Sequence, residues 1–207
     1  MQTRRELLFT LSSMPAAAAF LPRPSVCLPA ATGIFPEPHC LSEESARGYR
    51  KLLDELGRDV GPAIILPANR GLSYEAAGTL LERVRGGGLL ILESGAAYSS
   101  PEQIRGQARI LTAAFGIHTG EPVEVSAHEA SYITYKCPQR ILVRTFGAMT
   151  PVRCAPEERI AEFAGTAVAV RRSVGKGTIV YLGSILGVGL LAQEREARQV
   201  GHALLRA

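Results

Sequence analysis

Two uninterrupted apolar runs, Ala63-Ile64-Ile65-Leu66 and Leu89-Leu90-Ile91-Leu92, constrain this chain more than any other feature. Neither run alternates with polar residues, so both faces of each strand must be covered. Strands of that kind belong to parallel sheets, whose crossover helices lie on both faces. Between the runs, Ser73 stands as a helix N-cap, Ala76, Ala77, Leu80, Leu81 and Val84 recur at helical spacing, and Gly86-Gly87-Gly88 stops the pattern. Strand, helix and strand make a right-handed crossover unit. A further helix is predicted from Pro101 to Phe115, closed by Gly116. Upstream, Ser42-Glu43-Glu44-Ser45 reads as a helix start, with Leu52, Leu53 and Leu56 as its apolar stripe and Gly57 as its end.

From Pro122 the pattern changes to short β-type segments at Val123–Val125, Tyr132–Tyr135 and Ile141–Val143. Ala167–Arg171 and Thr178–Leu182 flank Gly175-Lys176-Gly177, a hairpin signal, and Glu194–Leu205 closes the chain as a helix with Ala197, Val200, Leu204 and Leu205 inward. The expected fold is α/β: an open, mainly parallel, flavodoxin-like sheet flanked by helices, with β-hairpin additions in the C-terminal half. At 207 residues, one such domain is the natural size, and it is placed at residues 42–207.

Residues 1–20 read as an export signal. Arg4-Arg5 precedes an apolar run from Leu7 to Phe20 of about 14 residues, which ends in small residues with Ala17-x-Ala19 as a cleavage site. That run is short of the ~20 residues that span a bilayer, so no stable membrane span is expected after cleavage. Thr3-Arg4-Arg5-Glu6-Leu7-Leu8 has the form of a bacterial twin-arginine signal, which implies a periplasmic or other extracytoplasmic destination. Residues 21–41 are a Pro-rich lead-in holding one short strand at Ser25–Leu28 before an irregular loop. In an oxidising compartment, proximity favours disulfides Cys27–Cys40 and Cys137–Cys154, with buried free thiols as the alternative.

The net charge of +4 rests on scattered arginines, with only Arg4–Arg5 and Arg171–Arg172 adjacent. Basic clusters interleaved with aromatic residues are absent, which excludes the usual nucleic-acid surface. Gly86-Gly87-Gly88 precedes a strand, whereas phosphate-cradling loops follow one, so no nucleotide or other cofactor is expected.

Three segments in order resemble the class I glutamine-amidotransferase-like superfamily, particularly its trehalose-utilisation-type (ThuA-like) branch. They are Ala63–Pro67 leading into Leu72-Ser73-Tyr74-Glu75-Ala76, then Val84 through Ala96, then Val168-Ala169-Val170 through Gly183-Ser184. The resemblance covers about residues 60–205 and implies a crevice at the strand ends. It also implies what is missing. Glu93 stands where active relatives carry a nucleophilic cysteine in a sharp elbow, and Gly183-Ser184-Ile185-Leu186 stands where their His-x-Glu base should follow. Thioester chemistry is therefore not expected.

Glu93, Ser94, Gly95 and Tyr98 remain as ligand-binding candidates, and Glu93, Ser94 and His128 as catalytic ones. Ser94 needs a histidine to act as a nucleophile, and of His39, His118, His128 and His202 only His128, beside Glu129, falls in a loop suited to reach it. Glu93, His128 and Glu129 lack paired metal-ligand spacing, so no metal site is expected. Two readings follow. One is an exported, catalytically silent, amidotransferase-like module binding an unidentified small polar or sugar-like ligand or a protein partner. The other is a hydrolase or carbohydrate-processing enzyme using Glu93 as general acid/base. A pocket joining Glu93 to His128 favours the enzyme, and a shallow site lined by Ala96, Ala97 and Leu186 favours the module. As a residue without a motif partner, Glu93 is expected to be an anchor of the scaffold.

Replacing Arg4-Arg5 by Lys-Lys tests the export reading. The precursor is expected to stay inside the cell, because the twin-arginine translocon reads the arginine pair. Undiminished periplasmic yield on fractionation would defeat that route.

Overall fold

A computed structural model describes residues 25–26, 36–57, 61–69, 71–94, 100–125 and 131–206. The export segment and the side chains of Cys27 and Cys40 lie outside that description, as do Gly95, Tyr98, His128 and Glu129.

The buried runs become β2 (Ala63–Asn69) and β3 (Leu89–Ser94), with β1 (Ser25–Val26) parallel to β2 and β2 parallel to β3. The intervening helix α2 (Tyr74–Arg85) starts as expected: Ser73 Oγ accepts from the Ala76 N–H at 3.1 Å. Helix α3 (Pro101–Phe115) likewise has Ser100 as its cap, proline in its first turn, and Gly116 in the left-handed region at φ 66°. Helix α1 (Pro36–Leu56) begins six residues ahead of the expected start at Ser42. Pro36 and Pro38, the last prolines of the stretch expected to form an irregular loop, sit in its first turn, where a backbone N–H has no helical partner to lose.

Beyond α3 the chain forms β4 (His118–Thr119), β5 (Val123–Glu124), β6 (Tyr132–Tyr135), β7 (Ile141–Arg144), β8 (Ala148–Met149) and β9 (Val152–Arg153). Then come a 3-10 turn at Pro156–Glu158, β10 (Arg159–Phe163), β11 (Thr166–Val174), β12 (Gly177–Leu182), α4 (Gly187–Leu191) and α5 (Arg195–Leu205). The main sheet is eight-stranded in the order β1-β2-β3-β12-β11-β10-β6-β7.

This corrects the expectation of a mainly parallel, open flavodoxin-like sheet. The pairs β1–β2, β2–β3 and β3–β12 are parallel, but β12–β11, β11–β10, β10–β6 and β6–β7 are antiparallel. Connection length is the reason. Parallel neighbours need a crossover, while the turns at Ala164-Gly165 and Gly175-Lys176 leave no room for one and force hairpins. The fold is α/β with a mixed sheet.

Alternation along β3 assigns its faces. Leu90 and Leu92 pack with Ala77 and Val84 of α2 and with Ile110, Leu111 and Phe115 of α3. Ile91 packs on the other side, against Tyr49, Leu52 and Leu56 of α1, Leu190 of α4, and Val200 and Leu204 of α5. Glu93 shares the Ile91 face by the two-residue period. Leu90 and Ile91 are both fully buried, each contributing about 1.5–3 kcal/mol relative to exposure. Beyond α3 the face covered by α2 and α3 is held by Arg172, which makes a bidentate pair with Glu158 (2.6 and 2.8 Å) and donates to the Phe115 and Gly116 carbonyls at the end of α3.

The Cys137–Cys154 disulfide is also corrected: both thiols are free. Cys137 lies in the connection between β6 and β7, whereas Cys154 follows β9 and packs against the cluster under α2 and α3. Nearness in sequence does not bring them together.

The tightest joint is between α1 and α4. A Cβ on Gly48 would collide with the Gly187 carbonyl, and a Cβ on Gly187 would collide with Ser45. Both obstacles include backbone, so neither can swing aside. Gly48→Ala is expected to destabilise the protein by about 1–3 kcal/mol through overpacking, read as a lowered midpoint in urea. A midpoint unchanged from the parent would show that the two helices can separate at no cost.

Candidate functional site

Open α/β sheets bind ligands at the carboxyl ends of their strands. Here β3 ends in Glu93 and Ser94, and both are buried, at 1% and 2% exposure. The Glu93 carboxylate is met by five donors. Ser45 Oγ and the Ala68 N–H donate to Oε2 at 2.5 and 3.1 Å, and Tyr49 Oη and the N–H groups of Leu186 and Gly187 donate to Oε1, each at 2.9 Å.

Local structure brings these donors together. Ser45, Tyr49, Leu52 and Leu56 recur at i, i+4, i+7 and i+11, so the hydroxyls continue the stripe that faces the sheet. Ala68 lies at an irregularity near the end of β2, where the register shifts between Leu66 and Asn69, and its backbone is left-handed at φ 42°. A non-glycine residue rarely adopts that conformation, and it turns the Ala68 N–H inward. Leu186 and Gly187 open α4, whose first N–H groups have no helical partners.

Beside this centre, Ser94 Oγ lies 2.6 Å from Thr150 Oγ1, the Thr150 N–H donates to the Gly183 carbonyl, and the Tyr135 hydroxyl bonds Ser184. These groups are buried and satisfy one another.

Burial is the largest influence on the Glu93 carboxyl and pushes its pKa up. The hydrogen bonds from Ser45, Gly187, Tyr49 and Ala68 pull the other way without cancelling it. The same burial, together with the Glu93 charge, raises the phenols of Tyr49 and Tyr135.

The structure therefore places Glu93 and Ser94 side by side, as the sequence implies, but shuts both away from solvent. A general acid must come within hydrogen-bond reach of its substrate, and Glu93 has no open side from which a sugar could approach. Leu186 is at the site, through its backbone, while Gly95, Ala96, Ala97, Tyr98 and His128 fall outside the described residues. Sequence reading missed Ser45 and Tyr49 as partners of Glu93. The signal was there in their helical spacing with Leu52 and Leu56. Among the described residues no group of histidine, cysteine, aspartate and glutamate side chains is arranged to hold a metal ion, and no helix is long and apolar enough to cross a membrane.

Glu93→Gln keeps the shape and removes the charge. Its amide can satisfy the donors at one oxygen position, but at the other an NH₂ meets the Ala68 N–H, leaving two donors face to face. A loss of about 1–3 kcal/mol is expected at neutral pH. The pH dependence has a definite sign. With the folded pKa raised above the ordinary carboxylate value, the Glu93 contribution is fully present below that ordinary value and is lost as pH rises through the folded one. Denaturation midpoints between pH 4 and 8 should therefore show that slope in the parent and lack it in Glu93→Gln. Equal slopes would mean that Glu93 does not titrate in the fold.

No family model matches the chain, and no curated protein matches it. Solved structures do share its fold. A β-galactosidase from Bacillus circulans sp. alkalophilus superposes with a TM-score of 0.56 at 14% identity, over 88% of this chain and 31% of that one. An exo-β-1,4-mannosidase from Opitutaceae bacterium strain TAV5 gives a TM-score of 0.61 at 15% identity, over 90% of this chain and 36% of that one. A cytoplasmic protein from Salmonella typhimurium LT2 gives 0.51 at 14% identity, over 70% of this chain and 72% of that one. At such identities the likeness is one of fold, and the chain spans about a third of the length of the two glycosidases. The reading of a catalytically silent module with an unidentified ligand is corrected on the β-galactosidases and the exo-β-mannosidase among these structures, which share its fold.

Proposed function

We propose that this chain works in carbohydrate processing and meets its sugar on the outer surface, away from the strand ends. The observation that carries the reading is the fold itself. Nearly all of this chain superposes on a third of a β-galactosidase and of an exo-β-mannosidase. Of the two sequence readings, this keeps the carbohydrate chemistry of the second and drops its use of Glu93, whose carboxylate is enclosed by five donors.

Sugars need planar polar groups for their hydroxyls and an aromatic or aliphatic surface for their C–H faces. An open groove of about 730 Å³ beside β7 offers both, with Gln139, Glu194, Glu196 and Gln199 around the half-exposed ring of Tyr132. Its volume lies within the usual range for small-molecule sites.

Calorimetric titration with β-galactosyl and β-mannosyl oligosaccharides tests the reading, together with turnover of the corresponding nitrophenyl glycosides. Saturable binding is expected, and it should survive Glu93→Gln while Tyr132→Ala weakens it tenfold or more. Neither binding nor turnover with either sugar would overturn the proposal.

A further inference from the structure

We infer that a second groove, between the β6–β7 turn and α5, is a binding site for an anionic group, a carboxylate or phosphate. Where the carbohydrate reading above holds, on which this last step rests, the group is carried by an acidic or phosphorylated sugar.

This groove, of about 610 Å³, is lined by Gln139, Arg195, Arg198, Gln199, His202 and Arg206 with Pro138 and Ala203, and no carboxylate is among its lining residues. The charges converge for a simple reason. Arg195, Arg198 and His202 of α5 and its C-cap Arg206 recur every three or four residues, next to the buried stripe of Ala197, Val200 and Leu204. Packing that stripe on the sheet turns the basic one toward the β6–β7 turn, where Gln139 adds a carboxamide.

Arg198 pairs with Glu55 of α1 at 2.8 Å, but Arg195 and Arg206 have no ion pair among the described residues. Helix-end electrostatics explain Arg206 and His202, because cations favour a helix C-terminus. They do not explain Arg195. It is the first residue of α5, where the helix dipole disfavours a cation, so a local rule is broken at the groove. His202 reports on the same field. Burial lowers its pKa, Arg206 and Arg198 lower it further, and only Glu55 opposes them.

The two grooves share Gln139 and Gln199 and so adjoin. An anion on the guanidinium side would place the body of its carrier toward Tyr132, Glu194 and Glu196, where hydroxyls find acceptors. Arginine suits both candidate anions, since its planar fork meets carboxylate and phosphate in two parallel bonds.

The imidazole of His202 is the probe. Its pKa is followed by NMR at fixed ionic strength with inorganic phosphate, glucose 6-phosphate, glucuronate and methyl glucoside added in turn. The three anions are expected to raise the His202 pKa relative to chloride, and the two anionic sugars to bind at least tenfold more tightly than methyl glucoside. The double variant R195Q/R206Q is expected to lose at least tenfold in affinity with its melting temperature little changed. Anions that move His202 no more than chloride does, or undiminished binding by the double variant, would overturn the site. Methyl glucoside binding as tightly as glucuronate would also overturn it while leaving the carbohydrate reading standing. Inorganic phosphate binding as tightly as glucose 6-phosphate would support the anion site and count against the carbohydrate reading.

Discussion

The rest of the structure depends on how one carboxylate is kept inside it. An isolated charge taken from water into a protein interior costs far more than a domain's net stability, so Glu93 is tolerable only with its oxygens surrounded by donors. Two hydroxyls from α1, one N–H from the end of β2 and two N–H groups from the start of α4 surround it. Three of these belong to the backbone, so satisfying Glu93 fixes chain paths, not merely rotamers. The left-handed turn at Ala68 and the glycine contact of α1 with α4 are consequences: without them the N–H groups would not converge. Charge-assisted bonds of this kind are about twice as strong as neutral ones, which offsets strain of the order of 1 kcal/mol at Ala68.

A second constraint is the change of sheet type at β12. Pairing parallel to β3 on one side and antiparallel to β11 on the other, β12 joins a crossover half to a hairpin half. Helices cover both faces of the crossover half. In the hairpin half, Ile133, Tyr135, Ile141 and Val143 are buried against the α1 and α5 side, while their neighbours Tyr132 and Leu142 stay exposed. An antiparallel sheet can leave one face to solvent in this way, and β7 ends the sheet there.

Much of this was legible in residue patterns, and the gaps have physical causes. Continuous apolar runs marked β2 and β3 because burial on both faces leaves no other composition, and Ser73 and Gly116 marked helix ends through their own hydrogen bonds. The β10 strand escaped notice: Arg159-Ile160-Ala161-Glu162-Phe163 opens and closes on a mixed pattern, since its register is broken by irregularities on the β11 side. The short α4 has no capping side chain, and Glu93 of β3 does the capping from 93 positions away in the chain. Long-range satisfaction of that sort leaves no local trace. Position along β3 did predict a residue of consequence at 93, but it could not tell an open carboxylate from a closed one. The difference lies in Ser45 and Tyr49, whose spacing announces a shared face without saying what that face meets.

The closing of the strand ends has a consequence for where chemistry can occur. In an open sheet the crevice exists because the loops after neighbouring strands splay apart. Here the loop after β12 turns at once into α4 and is pinned to the end of β3 by the Glu93 bonds, while α1 lies against it with no side chain between Gly48 and Gly187. A ligand entering there would have to break several buried hydrogen bonds and separate two helices in backbone contact. The outer edge carries no such penalty. Arg195, Gln139 and Tyr132 are held by α5 and the β6–β7 hairpin, elements whose opposite faces are anchored in the core through Val200, Leu204, Ile133 and Val143. Side chains on rigid elements with a solvated outer face are placed to bind without costing the fold anything, and that asymmetry is why the grooves along α5, rather than the end of β3, are where a ligand of this protein should be sought.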